Sequence, residues 1–185
     1  MHSVAWIELF GLWVLWFVPY VFLAPKVQKR ESVTVTGPSR FGLLLEVAGI
    51  AMLFLVRVPD PPRTQTPILI AAFVLGLLAC LMMWTAITSL GPQFRIQAGL
   101  YHDHELVRHG PYGLVRHPIY ASLLMMSIVT GLLLTPSLWL LVATAIHIAG
   151  TEIRVHTEER LLASRFGEQF SAYKKTVPAY LPLVR

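Results

Sequence analysis

Four long apolar runs constrain this 185-residue chain more than any other feature; they cover residues 4–24, 41–58, 68–90 and 119–150. A helix needs about 20 predominantly apolar residues to cross a bilayer. The last run is too long for one crossing and is interrupted at Thr135-Pro136-Ser137. Proline there removes a backbone donor and clashes with the preceding turn. The expectation is a helical hairpin with short arms, tilted or packed deep against its neighbours. Lipid admits only helices or closed barrels, and no run shows the period-two alternation of a barrel strand. The sequence predicts an all-α integral membrane protein of about five transmembrane helices.

Composition agrees. Hydrophobic residues make up 55% of the chain and charged residues 14%, against about 25% charged in soluble domains. That balance excludes disorder, and a soluble domain of this size has too little interior for so much apolar surface. The net charge of +5 comes from basic residues set between the runs, which suits anionic headgroups better than nucleic acid. Cys80 is the single cysteine, so neither an intrachain disulfide nor a Cys-based zinc site can form. The first run lacks a basic leader and is long for a signal peptide; it reads as a retained span. Five spans place thirteen basic residues on one side and two, Arg57 and Arg63, on the other. The side rich in Lys and Arg is normally cytoplasmic. The N-terminus is therefore expected outside, with the segment 89–118 and the tail inside. The chain reads as one domain. Residues 1–90 form three anchoring and packing spans, and residues 91–185 carry nearly all the polar information.

Two polar blocks flank the hairpin. The first runs from His102 to Tyr120 and holds His102, His104, His109 and His117; the second is Glu152-Ile153-Arg154-Val155-His156-Thr157-Glu158-Glu159-Arg160. A hairpin brings its two ends together, so Arg116-His117 should lie beside 154–159. The histidine spacings contain no His-Glu-x-x-His pattern, and no metal site is expected. Proline after His117 biases its backbone toward extended geometry. Arg116-His117 can serve either proton chemistry or headgroup anchoring. Arg154 and Glu158 share a helix face. An inward Glu suits an amine or ribose hydroxyls, and an inward Arg suits a carboxylate or phosphate. The five tryptophans read as lipid-facing or interfacial packing.

At these residues the sequence resembles the isoprenylcysteine carboxyl methyltransferase family over residues 90–182. The resemblance rests on Leu90-Gly91, His104-x-Leu106-Val107-x-x-Gly110-Pro111-Tyr112, Val115-Arg116-His117-Pro118-x-Tyr120, Arg154, Glu158-Glu159-x-Leu161-Leu162 and Phe166-Gly167-x-x-Phe170-x-x-Tyr173. It departs at Asp103, where the family often has glycine, and at Phe170, where tyrosine is common. The resemblance implies an S-adenosylmethionine-dependent membrane methyltransferase acting on a lipophilic acceptor that enters from the bilayer. By position, His104, Leu106, Val107, Gly110, Pro111, Tyr112, His117, Pro118, Tyr120 and Glu159 would line the cofactor site. Arg154 and Glu158 would stand nearest the acceptor, with Gln93 also approaching it. Membrane sterol reductases, which bind NADPH, share an Arg-His-Pro-x-Tyr block and are the rival enzyme. A non-catalytic lipid-binding membrane protein is the rival from another class.

Overall fold

The computed structural model describes residues 2–22, 32–34, 37–58, 63–94, 99–101 and 105–180. His104, expected in the cofactor site, lies outside the described residues. Among the described residues six α-helices follow in order: α1 (His2–Phe22), α2 (Gly37–Leu55), α3 (Thr66–Leu90), α4 (Pro118–Leu134), α5 (Ser137–Phe166) and α6 (Glu168–Thr176). Among them, α1, α2, α3 and α5 are long and apolar enough to cross a membrane. The architecture is an all-α membrane fold.

At 17 residues, α4 spans only about 25 Å at 1.5 Å per residue, short of the roughly 30 Å hydrocarbon core. It sits inside the bundle, packed against α1, α2, α3 and α5, with most of its side chains buried. Lipid tails are as apolar as leucine, so helices associate in a membrane through close packing and polar contacts. Both operate here. A Cβ at Gly42 would come within 2.7 Å of the Gly150 carbonyl, so α2 and α5 meet backbone to backbone. Trp13 donates to Thr130 at 3.0 Å and Trp16 to Ser122 at 3.1 Å, tying α1 to α4. Trp16 is thus buried, against the expectation that the tryptophans face lipid or the interface.

Two further features differ from the sequence expectation. The second hairpin arm does not stop at Gly150; α5 runs 30 residues to Phe166. Nothing between Thr151 and Phe166 breaks a helix, and the end comes at Gly167, which takes φ +50°. The polar block 152–160 is therefore a rigid extension of a membrane helix. In addition, β1 (Ser32–Thr34) pairs antiparallel with β2 (Gly99–Tyr101), Val33 opposite Leu100. Three-residue strands so far apart in the chain leave no alternation to read.

Candidate active site

The polar blocks meet where α4 begins. Pro118 occupies the first turn of α4, where a missing N–H costs nothing. His117 occupies the N-cap position with φ −127° and ψ 63°, so its ψ falls short of the extended geometry expected before proline. The backbone N–H groups of Arg116 and His117 donate to the carbonyls of Pro178 and Ala179, each at 2.8 Å, which fixes the turn against the C-terminal segment. Before it, Gly110-Pro111-Tyr112-Gly113 forms a single 3-10 turn. Gly110 adopts φ +60°, and a Cβ there would fall 2.5 Å from Ser89 Oγ. Tyr173 of α6 donates to the Tyr112 carbonyl at 2.6 Å.

Glu159 is buried and encircled by cations. Its Oε1 accepts from Arg116 Nε at 3.1 Å and Nη2 at 2.6 Å, and Oε2 accepts from Lys174 Nζ at 2.5 Å. Arg116 also donates to the carbonyls of Lys174 and Val177. His117 stands between the two acids, Nδ1 3.4 Å from Glu158 Oε2 and Nε2 3.6 Å from Glu159 Oε1. Burial alone would push its imidazole pKa down, but bonds and charge from Glu158 and Glu159 prevail and hold it above the ordinary value. Burial lifts the Tyr112 phenol well above its usual range and pushes Tyr173 up to about 12.

One turn earlier on α5, Arg154 Nε donates to Tyr120 Oη at 3.0 Å, and Tyr120 in turn donates to Glu158. The guanidinium carbon lies 5.0 Å from the Tyr120 ring centre. Arg154 Nη1 donates to Glu46 Oε2 of α2 at 3.2 Å. Glu46 belongs to the site but not to either block identified from sequence. The available signal is a lone carboxylate inside an apolar run; such residues are rare in spans and almost always partnered.

One cavity of about 900 Å³ joins these groups, at the upper end of the roughly 300–1,000 Å³ usual for ligand sites. Its polar end is walled by Glu105, Leu106, Val107, Tyr112, Arg116, His117, Tyr120, Arg154 and Glu158, with Gln93 nearby. Its apolar arm runs between Phe10, Trp13, Trp16, Phe17 and Tyr20 of α1 and Leu43, Val47, Ile50 and Phe54 of α2. The first spans therefore wall the cavity as well as pack. Of the expected cofactor residues, Leu106, Val107, Tyr112, His117 and Tyr120 are on the wall, as are Arg154 and Glu158. Gly110, Pro111, Pro118 and Glu159 stand behind it among the described residues and shape the turns or hold the wall residues. Among the described residues no cluster of three His, Cys, Asp or Glu side chains is arranged to hold a metal.

The family model for the isoprenylcysteine carboxyl methyltransferase (ICMT) family matches residues 70–164, which takes in α4, the turn before it and the polar face of α5. The chain belongs to this family. It is 32% identical over 116 residues to a protein-S-isoprenylcysteine O-methyltransferase of Tribolium castaneum, covering 60% of this chain and 41% of that one. Over 82 residues it is 35% identical to the Schizosaccharomyces pombe enzyme of that name, covering 44% and 35%. A solved structure described as the eukaryotic intramembrane Ras methyltransferase ICMT covers all of this chain and 54% of its own, with 26% identity and a TM-score of 0.50. The chain thus spans about half or less of the length of these family members. Membership and the apolar helices make it an integral membrane protein.

Proposed function

We propose that this chain transfers a methyl group from S-adenosylmethionine to the carboxylate of a lipophilic acceptor, a prenylated cysteine or similar isoprenoid lipid, at the cytoplasmic face. The carrying observation is the single cavity whose polar end is assembled from both polar blocks and whose apolar arm lies between α1 and α2. Its charge distribution fits the pair of ligands: carboxylates for the donor's amine and hydroxyls, and an arginine for an acceptor anion. The relatives' names favour methyl transfer over NADPH-dependent reduction. The split of basic residues supports the orientation, and a cavity built from both halves supports one functional unit.

When bound, the donor supplies a methyl group on a cationic sulfur. Leu106, Val107, Tyr112, His117 and Tyr120 would enclose it; His104 is assigned to the donor by the family resemblance alone. Gly110, Pro111 and Pro118 set the backbone that carries these groups. Glu159 positions Arg116 and His117 from behind. A carboxylate acceptor is ionised at neutral pH, so no strong base is required. Arg154 orients that carboxylate, and Glu158, through Tyr120, fixes Arg154. Alignment of acceptor and methyl supplies several kcal/mol of the acceleration as effective molarity, and the aromatic wall of α1 excludes water.

The test is incubation of purified protein with methyl-tritiated S-adenosylmethionine and an N-acetylated S-prenylated cysteine. The expected product is a base-labile methyl ester, lost in Arg154→Ala while donor affinity stays within about threefold. Label in a base-stable amine or thioether would overturn the carboxylate assignment; no transfer to any lipid would overturn the enzyme.

A further inference from the structure

We infer that Glu46 is a positioning residue for Arg154, setting how tightly the acceptor anion is held before reaction; this rests on the carboxylate reading above. Glu46 is 1% exposed and lies about 14 Å along α2 from Gly37 at the helical rise. A carboxylate at that depth is costly and persists only with partners. It has two on α5: Thr151 Oγ1 donates to Oε1 at 3.0 Å and Arg154 Nη1 to Oε2 at 3.2 Å.

The backbone holds this carboxylate rigidly. Gly42 and Gly49 flank Glu46 on the same face of α2. A Cβ at Gly42 would meet Arg154 Cγ at 2.7 Å, and one at Gly49 the Ala143 carbonyl at 2.8 Å. From the other side, a Cβ at Gly150 would sit 2.8 Å from Glu46 N. Small residues at these points bring α2 and α5 together, so the Glu46 carboxylate arrives at Arg154 on a fixed backbone. With Nη1 on Glu46 and Nε on Tyr120, the guanidinium is clamped along two bonds. Glu46 and Arg154 both line the cavity.

The consequence is a ground state that is not over-bound. An arginine already paired with Glu46 holds an incoming carboxylate less tightly and in one orientation. Interactions that bind substrate and transition state equally lower KM without raising kcat. Glu46 thus trades acceptor affinity for alignment.

The experiment compares wild-type protein with Glu46→Gln, Glu46→Asp and Thr151→Val in detergent, using the N-acetylated S-prenylated cysteine. Glu46→Gln is expected to lower acceptor KM at least threefold and kcat at least tenfold, with donor Kd within twofold. Glu46→Asp retains the charge and restores KM to near the wild-type value. Thr151→Val leaves the charge on Glu46 but loosens it, and lowers kcat by a smaller factor; it keeps the test open should Glu46→Gln fail to fold. A Glu46→Gln protein with unchanged kcat and KM, or one altered only in thermal stability, would overturn the assignment, as would a rise in acceptor KM. Inactive wild-type protein would instead sink the carboxylate reading itself.

Discussion

Arg116 reaches Glu159 across 43 residues of sequence, with Nε and Nη2 both on Oε1 at 3.1 and 2.6 Å. This pair joins the turn before α4 to the C-terminal part of α5, and Lys174 attaches α6 to the same carboxylate. Removing one partner of a buried ion pair strands the other and costs about 3–5 kcal/mol. Glu159→Ala should therefore lower the thermal midpoint in detergent sharply, while the exposed neighbour Arg160→Ala leaves it nearly unchanged. Equal midpoints for the two variants would remove Glu159 from its structural role.

His117 carries the pH dependence. Its folded pKa is raised by Glu158 and Glu159 against the opposing effect of burial, above the ordinary value of about 6.5. Stability from this group is complete below that ordinary value and is lost as pH rises through the folded pKa. Thermal midpoints measured from pH 6 to 9 should fall for wild-type protein and be flatter for His117→Gln. A steeper decline in the variant would reverse the sign.

Tyr120 bridges Arg154 and Glu158 through one hydroxyl. Hydrogen bonds to charged groups are worth about 1.5–3 kcal/mol, so Tyr120→Phe should slow turnover by roughly tenfold or more while the ring keeps its packing. Donor affinity, read by calorimetry, should change less than turnover. Full activity in the variant would show that the bridge does not order Arg154.

Close approach of α2 and α5 makes a fourth prediction. Gly150→Val places side-chain atoms where Gly42 O lies 2.5 Å from a Cβ, and overpacking of this kind costs about 1–3 kcal/mol. The variant should be less stable and, by separating Glu46 from Arg154, less active per folded molecule. Wild-type activity in the folded fraction would uncouple the packing from the site.

The spans, the hairpin and the meeting of Arg116-His117 with Arg154–Glu159 follow from run lengths and a single Pro136 break, because membrane helices must satisfy their own backbone. The wall residues Tyr112, His117, Tyr120, Arg154 and Glu158 stood out as polar groups at the ends of apolar runs. Glu46 did not, because its partners Thr151 and Arg154 lie more than a hundred residues away and only the packing of α2 on α5 brings them together. The distinction between Glu158 on the wall and Glu159 behind it is likewise a matter of helix phase: adjacent residues on α5 point about 100° apart, and which one faces inward depends on where α4 docks. The full reach of α5 to Phe166 is less legible than its phase, because the apolar run ends at Gly150 and only the Arg154–Glu158 spacing implies that the helix continues.

Binding of S-adenosylmethionine to the purified, detergent-solubilised protein tests the central claim most directly. Calorimetry should show saturable binding of about one donor per chain, abolished by joint substitution of Tyr112 and His117, with no comparable binding of NADPH. Saturable NADPH binding without S-adenosylmethionine binding, or donor binding indifferent to those two substitutions, would contradict a donor site at the meeting point of the two polar blocks.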